Sequence, residues 1–195
     1  MDKTRIEKVI TLQKTKFLNF YHAIYKNKLG QEKNWFIASR KEEKVIESQL
    51  LEGALDTVDA VLLVAFHEEE QKLVLIRQFR VPINAYVYEL PAGLIDPGEN
   101  MKEAAERELR EETGLELTMV DEARTCQKAY LSPGMTDESV GIIYCECRGE
   151  LSKAFLEADE DIKPMLVSRE EAKEILASEE RIDIKAYMAL QQFIS

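Results

Sequence analysis

The residue pattern predicts an α/β (α+β) sandwich preceded by an N-terminal antiparallel strand extension. Three observations lead there. Strand-length apolar or alternating runs fill most of the first ninety residues, one capped helix follows them, and two more helices close the chain. We divide the chain into an N-terminal β extension over 1–50 and a main domain over 55–195.

In order, residues 5–40 alternate as strands do. Phe17–Tyr25 forms one strand, 26–30 a turn, and Trp35–Ser39 the return. Residues 41–44 are all charged and read as an exposed link. The run 59–66, Asp-Ala-Val-Leu-Leu-Val-Ala-Phe, suits a strand buried on both faces. A polar loop over 67–72 leads to a return strand at 73–80, and 86–90 forms another. Pro97-Gly98 is turn chemistry. Asn100, with Glu103 three residues on, is a capping box, and Gly114 is a left-handed stop. Residues 140–147 read as a late strand. Ser168 to Glu171 is a second capping box, opening a helix to about Ser178. Asp183 caps the last helix, where Ile184, Tyr187, Met188, Leu190, Phe193 and Ile194 are predicted to form the apolar face.

Composition narrows the function classes. A net charge of -11 argues against a nucleic-acid surface, which needs a basic footprint. No apolar run is long enough to span a bilayer and no leader is recognisable, so a cytoplasmic protein without a membrane partner is expected. Cys145 and Cys147 alternate on a predicted strand and read as buried thiols, with Cys126 apart. The presence of only His22 and His67 argues against a histidine-based triad or a histidine-rich zinc site.

The capped central helix carries the chemistry. Glu108 and Glu112 are four apart and Glu111 is three from Glu108, so the three share a helical face. Like charges there repel, unless a hard divalent cation stands before them. On charge alone, a solvated acidic face is the plain alternative. The wider spacing decides between the two. Gly93, Glu99, Arg107-Glu108, Glu111-Glu112 and Gly114-Leu115 fit G-x5-E-x7-R-E-U-x-E-E-x-G-U, with U apolar, and no fixed position departs from it. The segment resembles the Nudix box. The resemblance implies the Nudix fold, a mixed sheet between helices. It also implies a metal-dependent hydrolase of nucleoside diphosphates linked to another group.

Residues outside the box narrow the resemblance. Arg77-Gln78-Phe79-Arg80, then Glu89-Leu90-Pro91-Ala92-Gly93, and later Ser132-Pro133-Gly134-Met135-Thr136-Asp137-Glu138, are similar to the ADP-ribose pyrophosphatase (ADP-sugar diphosphatase) group. The likeness covers roughly 55–195 well and the first fifty residues more loosely. It implies Glu108, Glu112 and the Ala92 carbonyl as ligands of Mg2+ or Mn2+, with Glu111 as a third candidate carboxylate and a catalytic residue. It implies Glu138 as general base or further ligand, with Asp137 able to take the part. Arg80 and Glu89 are implied as substrate-binding, Arg80 on the diphosphate. Trp35 and Arg40 are implied at the nucleotide, although Trp35 equally reads as a packing anchor. Arg107 reads as a clamp on a box glutamate and Glu99 as a structural acid at the helix start.

The expected partner is a nucleoside-diphosphate sugar, and a homodimer is expected because a short strand pair rarely stands alone. Two alternatives stay open. One is another Nudix specificity, such as a GDP-sugar, a dinucleoside polyphosphate or an oxidised nucleotide. The other is a sensor that binds ADP-ribose without cleaving it.

Overall fold

The computed structural model describes residues 5–156 and 160–195. The chain divides into two compact units, residues up to 59 together with 129–140, and residues 60–128 together with those from 141 onward.

The first unit is built on a three-stranded antiparallel meander. β1 spans Ile6–Gln13, β2 Asn19–Lys26 and β3 Glu32–Ser39, in that spatial order. The β2–β3 turn is held by Asn27, whose side-chain oxygen accepts from the backbone N–H of Leu29 and of Gln31, each at 2.9 Å. Period-two alternation puts Tyr21 and Ala23 on the buried face of β2. Tyr21 and Val9 pack with Ile46 from a short helix, α1 (Glu43–Glu47), which continues into a wider helical turn to Glu52. Phe20, His22 and Phe36 take the opposite face, where their rings stack at 5.2 to 5.9 Å.

The second unit centres on the larger sheet. Its strands are β4 (Ala60–His67), β5 (Lys72–Arg80), β6 (Ala85–Glu89), β7 (Ala92–Leu94), β8 (Glu116–Val120), β9 (Cys126–Tyr130), β10 (Ser139–Arg148) and β11 (Ile162–Val167). The order is β11-β5-β4-β10-β8, with β6 on β5, β7 on β4 and β9 on β10. β4 is buried along nearly its whole length, as its unbroken apolar run predicts. The three helices are α2 (Met101–Thr113), α3 (Arg169–Ala177) and α4 (Ile184–Ile194). This is the mixed α/β architecture expected from the sequence.

Helix α2 starts and stops where its residues dictate. Asn100 accepts from the N–H groups of Lys102 and Glu103, and Glu103 reaches back to the Asn100 N–H at 2.9 Å. Gly114 takes φ 78° and returns its N–H to Arg110 O. One stripe of α2, Ala104, Ala105 and Leu109, is fully buried against Val61, Leu63, Val74 and Ile143. That packing fixes the azimuth of the helix, and with it the direction of the acids beside the stripe. Cys145 and Cys147 lie in the same core, where burial pushes both thiols up to about 12, while Cys126 is exposed.

Two expectations are corrected. Lys41 is no exposed link residue. Its side chain is 9% exposed and its ammonium contacts Asp56 at 2.9 Å, Asp137 at 3.0 Å and Asp59 at 3.4 Å. On α4, Ile184, Tyr187 and Met188 face solvent, and the buried stripe is Ala186, Ala189, Leu190 and Phe193. Leu190 and Phe193 keep their predicted place on the buried face, and Ala186 and Ala189 complete it where Ile184, Tyr187 and Met188 were expected.

Candidate active site

The strand-to-helix crossing from β7 to α2 gathers the box residues. Arg107 is their organiser. Its guanidinium donates to both Glu99 oxygens at 3.0 and 2.9 Å, to Glu108 Oε1 at 2.7 Å, to Glu111 Oε2 at 3.1 Å and to the Leu94 carbonyl at 2.8 Å. These charge-assisted bonds, those to Glu99 above all, hold the Arg107 cation far more firmly than a free guanidinium. The same bonds lower the Glu99 carboxyl from its ordinary value.

Glu108 and Glu112 are buried, and Glu111 is about half exposed. Burial raises the Glu108 carboxyl above its ordinary value although Arg107 pulls the other way. Burial pushes Glu112 up to about 8, against the Ala92 N–H that donates to its Oε2 at 3.0 Å, and repulsion from Glu108 adds to the rise. Glu160 adds repulsion to both acids from the segment before β11. Glu160 is a residue that the motif reading did not single out. Its only sequence signal is the acidic run 157–161 ahead of a strand.

Gly93 is required by contact. A Cβ there would stand 1.8 Å from Glu108 Oε1, so the carboxylate lies directly over the β7 backbone. Among the described residues no three Asp, Glu, His or Cys side chains converge as a ready-made cation cage. Even so, the donor set fits a hard divalent ion. Its atoms are all oxygens, two buried carboxylates repel each other, and the cradle exists only because residue 93 lacks a side chain. An ion of the Mg2+ type completes its shell with backbone, water or substrate oxygens.

Arg80 ends β5 and Glu89 ends β6, on paired strands. They form a fork, Nε to Oε1 at 2.7 Å and Nη2 to Oε2 at 2.6 Å. Glu89 is buried and Arg80 keeps about half its surface in solvent. The Arg80 cation also feels Glu112. Arg80 therefore lies within electrostatic reach of the box acid Glu112.

Trp35, Arg40 and Glu138 come together within the first unit. The Trp35 indole donates to Gly134 O at 3.1 Å and remains 49% exposed, so it is not a core anchor. Arg40 Nε donates to Glu138 Oε1 at 3.1 Å. Asp137 is taken by Lys41, and Asp59 accepts from the Ser139 N–H and hydroxyl at 2.8 and 2.9 Å. The loop 132–138 is thereby pinned on both sides of Glu138. Removing Lys41 takes away the one ammonium that Asp56, Asp59 and Asp137 share. Lys41→Met is expected to lose about 3 kcal/mol of stability, read from the urea midpoint. A loss below about 1 kcal/mol means the network has no structural role.

The NUDIX domain family matches residues 56–189. An ADP-ribose pyrophosphatase of Bacillus subtilis is 35% identical over 68% of this chain and 69% of its own length. An ADP-ribose pyrophosphatase of Saccharomyces cerevisiae is 28% identical over 67% of this chain and 53% of its own, and an ADP-sugar pyrophosphatase of Mus musculus is 27% identical over 69% and 57%. The chain thus spans less than two thirds of the yeast and mouse relatives. A crystal structure of an ADP compounds hydrolase superposes with TM-score 0.72 at 20% identity, covering 98% of this chain and 92% of that one, which establishes the shared fold. No helix among the described residues is long and apolar enough to cross a membrane.

Proposed function

The chain belongs to the Nudix hydrolase family, and on that premise we propose that it hydrolyses the diphosphate bond of ADP-ribose or a related ADP-sugar, giving AMP and a sugar phosphate. The observation that carries this reading is the buried pair of Glu108, over Gly93, and Glu112, held by the Ala92 N–H, with Arg80 of the fork in electrostatic reach of Glu112. The names borne by the bacterial, yeast and mouse relatives support the choice of substrate.

In this reading Glu108, Glu112 and the Ala92 carbonyl hold a Mg2+ or Mn2+ ion, and Glu111 contributes a further acid. When bound, the ion neutralises the diphosphate oxygens and acidifies a water. Arg107 fixes Glu108 so that no side-chain reorganisation is needed at the moment of reaction. Arg80 meets the diphosphate with its exposed edge while Glu89 keeps the guanidinium plane fixed. Glu138 is the loop acid assigned to proton transfer, since Asp137 is already committed to Lys41. Glu160 is a second acid for that part, because it bears on both buried glutamates. Trp35 and Arg40 serve the nucleotide, and the half-exposed indole is open to stacking.

We assign the protein to a homodimer in the cytoplasm, its contact made by the outward Phe20–Phe36 face of the N-terminal sheet. Light scattering should return twice the chain mass, and a monomer at micromolar concentration ends that assignment. A panel of ADP-ribose, other ADP-sugars, a GDP-sugar, a dinucleoside polyphosphate and nucleoside triphosphates, assayed with Mg2+, tests the reaction. ADP-ribose or an ADP-sugar should show the highest kcat/KM. A preference for triphosphates, or tight binding of ADP-ribose without turnover, overturns the reading.

A further inference from the structure

We propose that the open pocket beside the Arg80–Glu89 fork is the subsite for the sugar-phosphate half of the substrate, with Arg181 and Lys185 as its specificity-determining cations. This rests on the reaction assigned above.

The pocket is an extension of the fork. Arg80 and Glu89 form one side and the segment 181–185 the other, enclosing about 620 Å³. That segment is a built wall. The Tyr88 N–H donates to the Arg181 carbonyl at 2.9 Å, and the Asp183 N–H donates to the Tyr88 carbonyl at 2.9 Å, so the chain runs as a parallel bridge on β6. Asp183 then caps α4 and holds the Lys185 ammonium at 2.7 Å, in the positive first turn of that helix.

Three cations therefore ring one opening in a chain of net charge -11. Arg80 and Lys185 have carboxylate partners. Among the described residues Arg181 has no ion pair, and it is exposed at the mouth of the pocket. An arginine without an ion pair in the same lining as two paired cations favours an anion, and the guanidinium fork matches a phosphate or phosphodiester edge. Glu89 and Asp183 supply acceptors for hydroxyl groups.

The remaining lining is aliphatic, Pro82, Ile83, Val87, Ile182 and Ile184, with no aromatic ring. A nucleobase is held by stacking on aromatic faces, so this pocket is unsuited to the adenine. Cations, hydroxyl acceptors and aliphatic walls together describe a polyhydroxylated phosphate. A role for Arg181 as plain surface charge predicts equal effects on every anionic ligand, which separates the two possibilities.

The test is a binding titration followed by NMR, with ribose 5-phosphate and AMP as separate probes, on the wild-type chain, Arg181→Gln and Arg181→Lys. Arg181→Gln should weaken ribose 5-phosphate roughly tenfold, the scale of one charge-assisted contact, and leave AMP within about twofold. Arg181→Lys should restore part of the loss, since a cation returns without the fork. Equal weakening of both probes, an unchanged ribose 5-phosphate affinity, or no wild-type binding of ribose 5-phosphate at millimolar concentration overturns the proposal. The reaction assignment fails separately. Wild-type protein that binds ribose 5-phosphate through Arg181 yet hydrolyses no ADP-sugar keeps the subsite and loses the reaction.

Discussion

Glu112→Gln is expected to lower kcat/KM for ADP-ribose by at least about a thousandfold, on the order of 4 kcal/mol of transition-state stabilisation, while the fold survives. The amide oxygen of glutamine can still accept the Ala92 N–H, so the local hydrogen bond is kept. What is lost is a negative charge at the point where a cation is to be held. Stability should move the other way. Burial raises Glu112 from 4.5 in an unfolded chain to about 8 in the fold. A raised carboxyl favours the folded state fully below about 4.5, and that contribution is lost as pH rises through about 8. Metal-free wild-type protein should therefore lose stability across this window relative to the variant. Melts in chelator at pH 5 and pH 9 measure it, the variant gaining on wild type at pH 9. A cation must displace the Glu112 proton, so Mg2+ affinity of wild type should climb with pH toward about 8 and level above it. Wild-type turnover by Glu112→Gln, or Mg2+ affinity flat with pH, excludes Glu112 as a ligand.

The central helix was legible because its information is local. A capping box, a glycine stop and the spacing of Ala105, Glu108, Leu109 and Glu112 all lie within one short segment. β4 and β5 were legible for the same reason, as continuous apolar runs. β11 escaped because Pro164 stands in its middle, and proline within a run argues against a strand. The strand forms because β11 is an edge, pairing β5 on one side, so the missing N–H of Pro164 costs no ladder bond there. β8 and β9 escaped because they are short and largely polar, and the sheet supplies the pairing that their residues do not demand.

The box acids could be named from their spacing and Arg80 and Glu89 from the family resemblance, but the Lys41 network could be named from neither. Its partners lie 15, 18 and 96 positions away, at Asp56, Asp59 and Asp137, and only the fold brings them together. A lysine in a charged run carries no local sign that it is to be buried. The same holds for Glu160, whose pressure on Glu108 and Glu112 exists only through tertiary structure. The Nudix signature thus reports the part of the site encoded on one helix and its preceding strand, and is silent on groups delivered from elsewhere.

Gly93→Ala should lower kcat/KM on the order of a hundredfold or more with little loss of stability, and the contrast between the two effects is the prediction. The added Cβ meets Glu108 Oε1 at 1.8 Å, its Cδ at 1.9 Å and Oε2 at 2.3 Å, and no other atoms come closer. All three belong to the end of a flexible side chain. The backbone at 93 has no positive φ, so alanine is conformationally permitted and even restricts the unfolded chain by about 0.4 to 1 kcal/mol. The fold can therefore accept the methyl group by swinging Glu108 aside, which breaks its 2.7 Å bond from Arg107 and empties the cradle of one carboxylate. The role of Gly93 in the box is then to make room for an acid against a strand, with no demand for special backbone geometry. Urea unfolding should place Gly93→Ala within about 1 kcal/mol of wild type, while Mg2+ titration shows weakened binding. The two lesions act on one group, so adding Glu108→Gln to Gly93→Ala should cost little more activity than either alone. Independent, multiplying losses in the double variant, or full activity in Gly93→Ala, would place Glu108 somewhere other than over residue 93 during catalysis.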